Sequence, residues 1–234
     1  MVKAVLCDID GTLVNSNWLH AAAWRDALAA AGIEVDVEEV RRQIGKGGDE
    51  LLPVFVPWWK RMILGDSIKT YRKCLFQAKY LPAVEPFPKA RDLLKGLKKA
   101  GIRITLATSA DGSELRQYKK IADIDDLVDK STSASDVAHS KPHPDIFEAS
   151  LKKLHMHPEE VLALGDTPYD AEAAAKAKVS TVGVTTGGWS ERDLIDAGCI
   201  EVYKDVADLF ANLDQSAFLR GLPAGTVHAM AAGK

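Results

Sequence analysis

The sequence predicts an α/β protein, with a doubly wound parallel sheet as its core and an all-helical domain inserted into that core. Two observations predict this class. From residue 83 onward, short apolar runs alternate with helical patterns, which favours a parallel sheet with helices on both faces. Between the first apolar run and that region, residues 15–82 show helical periodicity. We therefore expect a core of residues 1–14 and 83–214, a helical cap of residues 15–82 and a tail of residues 215–234.

The individual elements follow from apolar spacing and from residues that begin or end helices. The first cap helix begins after Asn15 or Ser16 and ends at Gly32, and a capping pattern at Asp36 predicts the second, which Gly45 ends. A third helical stretch covers about residues 67–80. Elsewhere, strands are predicted over residues 2–7, 102–107, 127–128, 161–164, 179–184 and 200–203, and helices over about 89–100, 113–122, 144–154, 171–177 and 206–213.

Composition limits the possible partners and environment. The 234 residues are 47% hydrophobic and 27% charged, as in ordinary soluble globular proteins, and the net charge of −3 gives no basic surface for nucleic acid. Three widely spaced cysteines predict a reducing compartment, and neither a signal peptide nor a membrane-spanning segment is visible. We expect a cytoplasmic protein, monomer or homodimer, with no nucleic acid or membrane partner.

Four segments place polar side chains just after a predicted strand or at the start of the next helix. In a parallel sheet these positions meet at one edge, where such folds bind their ligands. The residues are Asp8 and Asp10, Thr108 and Ser109, Lys141, and Asp166 with Asp170. Two carboxylates that directly follow a buried strand are costly unless a cation pairs with them, and carboxylate oxygens suit Mg²⁺.

These side chains contain the parts that attack on a phosphate monoester requires. Asp8, Asp10 and Asp166 can supply metal ligands, and a divalent cation offsets the repulsion between a carboxylate and a phosphate dianion. Lys141 adds a positive charge, and a second carboxyl group can protonate the leaving oxygen and later activate water. Phosphoryl oxygens can bind to the hydroxyl and backbone N–H groups of Thr108 and Ser109. The set suits a covalent aspartyl phosphate mechanism.

The order Asp-x-Asp-Gly-Thr, Thr/Ser, Lys-Pro and Gly-Asp-x-x-x-Asp resembles the haloacid dehalogenase superfamily over about residues 2–210. The insertion after the first motif resembles its helical-cap subgroup, which includes phosphoglycolate phosphatases and β-phosphoglucomutases. The resemblance implies that Asp8 is the nucleophile, that Asp10 is the general acid/base, and that Thr108 and Lys141 bind the phosphoryl group. It also implies that Asp8, the Asp10 backbone carbonyl and Asp166 hold Mg²⁺. Asp170 would support the metal or Lys141.

Three features of the cap, namely His20, Lys46 and the Trp58–Trp59 pair, have more than one interpretation. On physical grounds His20 is a core histidine, because it lies four residues before Trp24 on an apolar stripe; the family's sugar-phosphate mutases show a similar pattern, which implies a substrate-facing role. Lys46 lies in a glycine-rich loop that either ends a helix or, as the resemblance implies, contacts substrate. Trp58 and Trp59 are expected to pack inside the cap, with lining of a substrate pocket as the second interpretation.

The sequence therefore predicts a Mg²⁺-dependent phosphatase of a small phosphorylated metabolite. A phosphosugar mutase is the nearest alternative, because it would use Asp8 and Asp10 in the same way and pass the phosphoryl group to a sugar hydroxyl. A phospho-receiver signalling module combines similar residues, but receivers are much shorter and their acceptor aspartate follows a later strand.

Overall fold

The computed structural model describes residues 1–220, so residues 221–234 of the predicted tail lie outside the described part. Its strands are β1 (Ala4–Cys7), β2 (Val14–Asn15), β3 (Glu85–Pro86), β4 (Arg103–Ala107), β5 (Lys130–Thr132), β6 (Val161–Gly165), β7 (Ser180–Val184) and β8 (Cys199–Tyr203). Six of them form one parallel sheet in the order β5-β4-β1-β6-β7-β8. The predicted parallel α/β class is confirmed.

The helices cover both faces of this sheet and form the insertion. In chain order they are α1 (Asn17–Ala30), α2 (Val37–Arg41), α3 (Gly48–Phe55), α4 (Trp58–Leu75), α5 (Ala90–Lys99), α6 (Gly112–Ile121), α7 (Asp145–Leu154), α8 (Pro168–Lys176), α9 (Glu191–Asp196), α10 (Val206–Ala211) and α11 (Ala217–Arg220). A π-helical turn, Phe76–Tyr80, continues α4. Among the described helices, none combines the length and the apolar character that crossing a lipid bilayer requires.

Strand β1 occupies the middle of the sheet and explains how the core is layered. Successive side chains of a strand point to opposite faces. Val5 and Cys7 accordingly belong to the apolar cluster that α5, α6 and α10 complete, whereas Ala4 and Leu6 belong to the cluster formed with α7 and α8. Because β1 pairs with β4 on one side and β6 on the other, the residue after β1 emerges between two strand ends.

The insertion packs around an apolar cluster of its own, which contains Trp24, Leu28, Leu51 and Ile68. Strands β2 and β3 pair antiparallel, with Val14 opposite Pro86, so the chain enters and leaves the insertion side by side. The predicted boundaries, with a core of residues 1–14 and 83–214 and a cap of residues 15–82, stay a prediction.

Several elements differ from the sequence prediction. Strand β5 begins at Lys130, beyond the predicted 127–128, because buried Leu127 lies in the turn that follows α6. Helices α3, α9 and α11 and the short strands β2 and β3 were not predicted. Helix α4 begins well before the predicted start, and Trp58 and Trp59, at its first turn, are 71% and 55% exposed, so the expectation that they pack inside the cap is wrong.

Candidate active site

The predicted site residues meet at the carboxyl ends of the central strands. Asp8 directly follows β1, Thr108 follows β4, and Asp166 follows β6. Lys141 lies in the loop before α7, and its Nζ is 2.5 Å from Asp8 Oδ1. The sheet therefore brings together residues that are more than 100 positions apart in the chain.

Lys141 is the cation at the centre of this arrangement. Its side chain is buried, and Nζ also lies 2.7 Å from Asp170 Oδ1 and donates to the Ala107 carbonyl at 3.0 Å. Burial alone would lower the pKa of Lys141, but the charges of Asp170 and Asp8 outweigh it and raise this pKa above its ordinary value. Lys141 is therefore a permanent ammonium ion at physiological pH.

Asp166 is held from both sides by groups near the start of the chain. Thr12 Oγ1 donates to its Oδ1 and Asn17 Nδ2 donates to its Oδ2, each at 2.8 Å. The surrounding backbone is very close, since a Cβ added at Gly187 would lie 2.3 Å from Asp166 Oδ2. Glycine at this position is therefore a packing requirement of the site.

Asp170 has two roles in the structure. Its Oδ2 accepts from the Thr167 hydroxyl at 2.6 Å and from the Thr167 backbone N–H, as in a capping box at the start of α8. Its Oδ1 pairs with Lys141. Asp170 therefore caps the start of α8 and also pairs with Lys141.

Asp8, Asp166 and Asp170 form a buried carboxylate cluster, in which one oxygen of each lies within 4.8 Å of the others. Burial raises the pKa of Asp8 well above its usual range despite the opposing charge of Lys141. Burial and the neighbouring charge of Asp170 raise the pKa of Asp166 to about 8. Lys141 supplies one positive charge for three carboxyl groups, so the donor set fits a hard divalent cation with oxygen ligands.

The stability of the metal-free protein is expected to fall as pH rises from about 4 to about 8. Folded Asp166 keeps its proton up to about pH 8, whereas an unfolded Asp loses it near pH 4. The folded state thus binds more protons in this window, and through Asp166 alone raising the pH destabilises it by up to about 1.4 kcal/mol per pH unit, to which the raised pKa of Asp8 adds. The raised pKa of Lys141 affects the stability only at much higher pH. Urea unfolding in EDTA at about pH 5 and about pH 8 measures this change in the free energy of unfolding, and Mg²⁺ should reduce the change. Equal free energies of unfolding at the two pH values in EDTA would contradict the raised pKa of Asp166.

Asp10 lies apart from the carboxylate cluster and its side chain turns toward the cap. Its Oδ1 accepts from Ser16 Oγ at 2.6 Å and contacts His20 Nε2 at 2.8 Å. Burial would raise the pKa of Asp10, but His20 and the hydrogen bond from Ser16 outweigh it and lower this pKa. The metal role that the family resemblance implies for Asp10 concerns its backbone carbonyl, not this side chain.

His20 joins the cap to the core. The side chain is buried and stacks on Phe76, with ring centroids 4.0 Å apart. Its Nδ1 lies 2.5 Å from Arg72 Nη2, which can only donate, so Nδ1 accepts and Nε2 carries the proton toward Asp10 and Tyr118. Sequence reasoning missed Arg72 and Tyr118, because their contacts depend on how the cap packs on the core.

A cavity of about 270 Å³ lies between cap and core, and Asp8, Asp10 and His20 line it. Lys46 and Ser109 also line it. The remaining lining includes residues that sequence reasoning did not select, namely Trp24, Lys69, Arg72, Lys73, Asp111 and Glu114. The lining is rich in charged groups, which suits a small polar ligand.

The loops on the two sides of this cavity touch each other. Ser109 Oγ donates to the Gly45 carbonyl at 3.1 Å, so a predicted phosphate-binding residue contacts the cap loop directly. Thr108 is buried, and its hydroxyl accepts from the Ala110 N–H at 3.0 Å. Lys46 Nζ donates to Gln43 at 2.7 Å and lies 4.6 Å from the centre of the Tyr169 ring. The cap is thus closed over the site.

Comparisons with known proteins agree with this geometry. The family model for haloacid dehalogenase-like hydrolases matches residues 5–184. A phosphorylated carbohydrates phosphatase of Thermotoga maritima is 26% identical over 207 residues, covering 87% of this chain and 94% of that protein. A phosphoglycolate phosphatase of Salmonella choleraesuis is 30% identical over 208 residues, covering 80% and 82%.

A solved structure extends the likeness to three dimensions. The crystal structure of a hydrolase from Pseudomonas syringae superposes with a TM-score of 0.80 at 29% identity, covering 91% of this chain and 98% of that one. The similarity therefore includes the helical insertion as well as the sheet.

Proposed function

The chain belongs to the haloacid dehalogenase-like hydrolase family, and on that premise we propose that it is a Mg²⁺-dependent phosphatase acting through an aspartyl phosphate. As a phosphoric monoester hydrolase it would act on a small phosphorylated metabolite, of the phosphoglycolate or sugar phosphate type. The observation that carries the proposal is the contact of Asp8, at the cavity, with the buried ammonium of Lys141.

Asp8 would be the nucleophile. Lys141 Nζ lies 2.5 Å from Asp8 Oδ1 and fixes the orientation of the Asp8 carboxylate. Asp8 Oδ2 would then be available for in-line attack on phosphorus. The P–O bond to the leaving alcohol would break as the Asp8–phosphorus bond forms. Thr108, Ser109 and Lys141 would bind the phosphoryl oxygens.

Asp10 would move the protons. It would protonate the leaving oxygen, and it would then take a proton from the water that hydrolyses the aspartyl phosphate. The contacts of Asp10 with Ser16 and His20 lower its pKa, which favours the ionised form that the second step requires and opposes the protonated form that the first step requires. His20 Nε2–H, 2.8 Å away, keeps the carboxylate turned toward the cavity.

Mg²⁺ would be held by Asp8, the Asp10 backbone carbonyl and Asp166, with Asp170 and Lys141 behind them. When bound, it would offset the negative charge shared by carboxylate and phosphate. The buried cluster of three carboxylates with one lysine supports this assignment.

The cavity size supports a small substrate. About 270 Å³ beneath a closed cap accommodates a metabolite rather than a phosphorylated protein side chain, whose polypeptide could not enter. The relatives named for phosphoglycolate and for phosphorylated carbohydrates agree with this size class.

A phosphosugar mutase remains the second candidate, and the contact between His20 and Asp10 favours it. His20 precedes Trp24 by four residues, as in the family's sugar-phosphate mutases, and lies in the cavity beside the general acid/base. A mutase would transfer the phosphoryl group from Asp8 to a second sugar hydroxyl instead of water.

Phosphate release from a panel of small phosphomonoesters tests the proposal. The panel contains phosphoglycolate, hexose phosphates and nucleoside monophosphates, each with Mg²⁺ or with EDTA. We expect release that requires Mg²⁺, and the ester with the highest kcat/KM identifies the substrate class. Conversion of a hexose 1-phosphate to the 6-phosphate without phosphate release would favour the mutase. Absence of both activities on every ester would contradict the proposal.

A further inference from the structure

Ser140, the residue directly before Lys141, connects the loop of the buried lysine to the cap. Its hydroxyl donates to Asp49 Oδ1 at 2.6 Å and accepts from the Gly47 N–H at 2.9 Å. Its backbone N–H donates to Asp49 Oδ2 at 3.0 Å. We call the three residues Gly47, Asp49 and Ser140 the Ser140 latch. The proposed bond-making and proton-transfer steps do not involve any of them.

The packing at Gly47 shows how closely the cap approaches the core in the latch. A Cβ added at Gly47 would lie 2.6 Å from both Asp49 Oδ1 and Ser140 Oγ, which is too close for a real side chain. Glycine therefore permits the backbone of the cap loop to reach the Ser140 hydroxyl. The hydrogen bonds of the latch depend on this close approach.

The position of Asp49 in its helix explains only part of its environment. Asp49 lies in the first turn of α3, where the helix dipole favours a carboxylate. That preference requires no partner in the core, whereas both carboxylate oxygens of Asp49 accept hydrogen bonds from Ser140. Ser140 is buried, so its donors need acceptors within the protein, and a carboxylate accepts stronger hydrogen bonds than a neutral group does. The latch is therefore a specific contact between cap and core.

The backbone transmits the latch to the catalytic lysine over a single residue. The His143 N–H donates to the Ser140 carbonyl at 3.0 Å, so residues 140–143 form a turn that includes Lys141. The same turn contacts the cap a second time, because His143 Nε2 lies 3.3 Å from Glu50 Oε1. The cap thus constrains the turn from which the Lys141 side chain extends.

The position of this turn matters for the nucleophile. Lys141 Nζ lies 2.5 Å from Asp8 Oδ1 and 2.7 Å from Asp170 Oδ1. The Lys141 side chain is 1% exposed, so its packed stem has little freedom to compensate for a shift of its own backbone. Misplacing a catalytic group by about 1 Å can slow a reaction about 100-fold.

We propose that Asp49 is a positioning residue for Lys141, because through Ser140 it fixes the backbone from which the lysine reaches Asp8. The catalytic consequence rests on the proposed function, in which Asp8 attacks phosphorus. Contact between the cap loop and the turn then determines how well Asp8 is oriented, so the cap contributes to the chemical step as well as to exclusion of water.

Steady-state phosphate release with the best ester of the panel tests this role. We expect Asp49→Ala to lower kcat about tenfold and to leave KM within about twofold, because nucleophile orientation affects the chemical step. Ser140→Ala should have a similar effect, and the double variant should be no slower than the slower single variant, since both changes break the same latch. Asp92→Ala removes an exposed carboxylate from the first turn of α5; it is the matched control and should keep the wild-type kcat.

Chemical labelling of Lys141 in EDTA provides a readout that does not depend on activity. Acetic anhydride should acetylate buried Lys141 slowly, whereas exposed Lys152 on α7 reacts freely and serves as the internal reference. We expect Asp49→Ala to raise the acetylation rate of Lys141 relative to Lys152 by at least about threefold, because the turn opens more often. Peptide mass spectrometry measures both rates. Asp49 is exposed, so its replacement should leave the protein folded, which far-UV circular dichroism verifies.

Two results would overturn the proposal. One is a variant Asp49→Ala with the wild-type kcat and unchanged labelling of Lys141. The other is an effect confined to KM, since Asp49 would then act on substrate binding alone. Failure of the proposed function has a different signature: wild type would release no phosphate from any ester, while Asp49→Ala would still raise the labelling of Lys141 and so support the latch.

Discussion

Asp8→Asn is expected to reduce phosphate release by at least about 10⁴-fold, because the amide cannot attack phosphorus and no other group can substitute for a covalent nucleophile. The change is nearly isosteric and removes one negative charge from the buried cluster around Lys141. The folded protein should therefore keep its thermal stability in EDTA or gain some. Phosphate release with the best ester of the panel and thermal unfolding in EDTA measure the two effects.

Asp214→Asn is the matched control, because it makes the same chemical change at an exposed position beyond the sheet. It should leave both quantities near the wild-type values. If Asp8→Asn retained more than a trace of metal-dependent release, the nucleophile would be a different group and the aspartyl phosphate route would be wrong.

Lys141→Met is expected to lower stability and activity together. Methionine fills similar space but leaves Asp8 and Asp170 without their buried cation, and breaking a buried ion pair from one side costs about 3–5 kcal/mol. Activity should fall by at least about 10³-fold, because the nucleophile loses its orientation and the phosphoryl group loses a positive contact. Urea unfolding at neutral pH in EDTA and phosphate release measure these effects.

Two conditions should restore part of the lost stability of Lys141→Met. Mg²⁺ replaces positive charge at the cluster, and a lower pH protonates its carboxylates. Lys152→Met, at an exposed lysine of α7, controls for loss of a surface charge and should change little. Unchanged stability of Lys141→Met in EDTA would contradict the electrostatic description of the cluster.

Local patterns predicted most of the sheet and the order of its helices. β1 was visible as a short apolar run, and the alternation that follows residue 83 predicted parallel strands, because each face of the sheet must be buried by a helix. Asp8, Asp166 and Lys141 were selected from their positions after strands and in a proline-flanked loop. The sequence misplaced the short strand β5 and missed the short helix α9, because few apolar residues mark these elements.

The contacts that define the site could not be predicted from the sequence. Thr12 and Asn17 hold Asp166 from about 150 positions away, and Arg72 fixes the proton of His20 across two helices. Such pairs depend on how the insertion docks on the sheet. No local periodicity encodes that geometry.

By itself, then, the sequence determined which residues are candidates for the chemistry and that the parallel sheet gathers them at one edge, because strand direction and side-chain alternation are local properties of the chain. Only the tertiary structure decided that Asp10 faces His20 while Asp170 joins Lys141, and that Trp58 and Trp59 are exposed. The physical reason is that burial and charge pairing are properties of the packed molecule. A tryptophan on a helix has the same local pattern whether it faces the cap core or the surface.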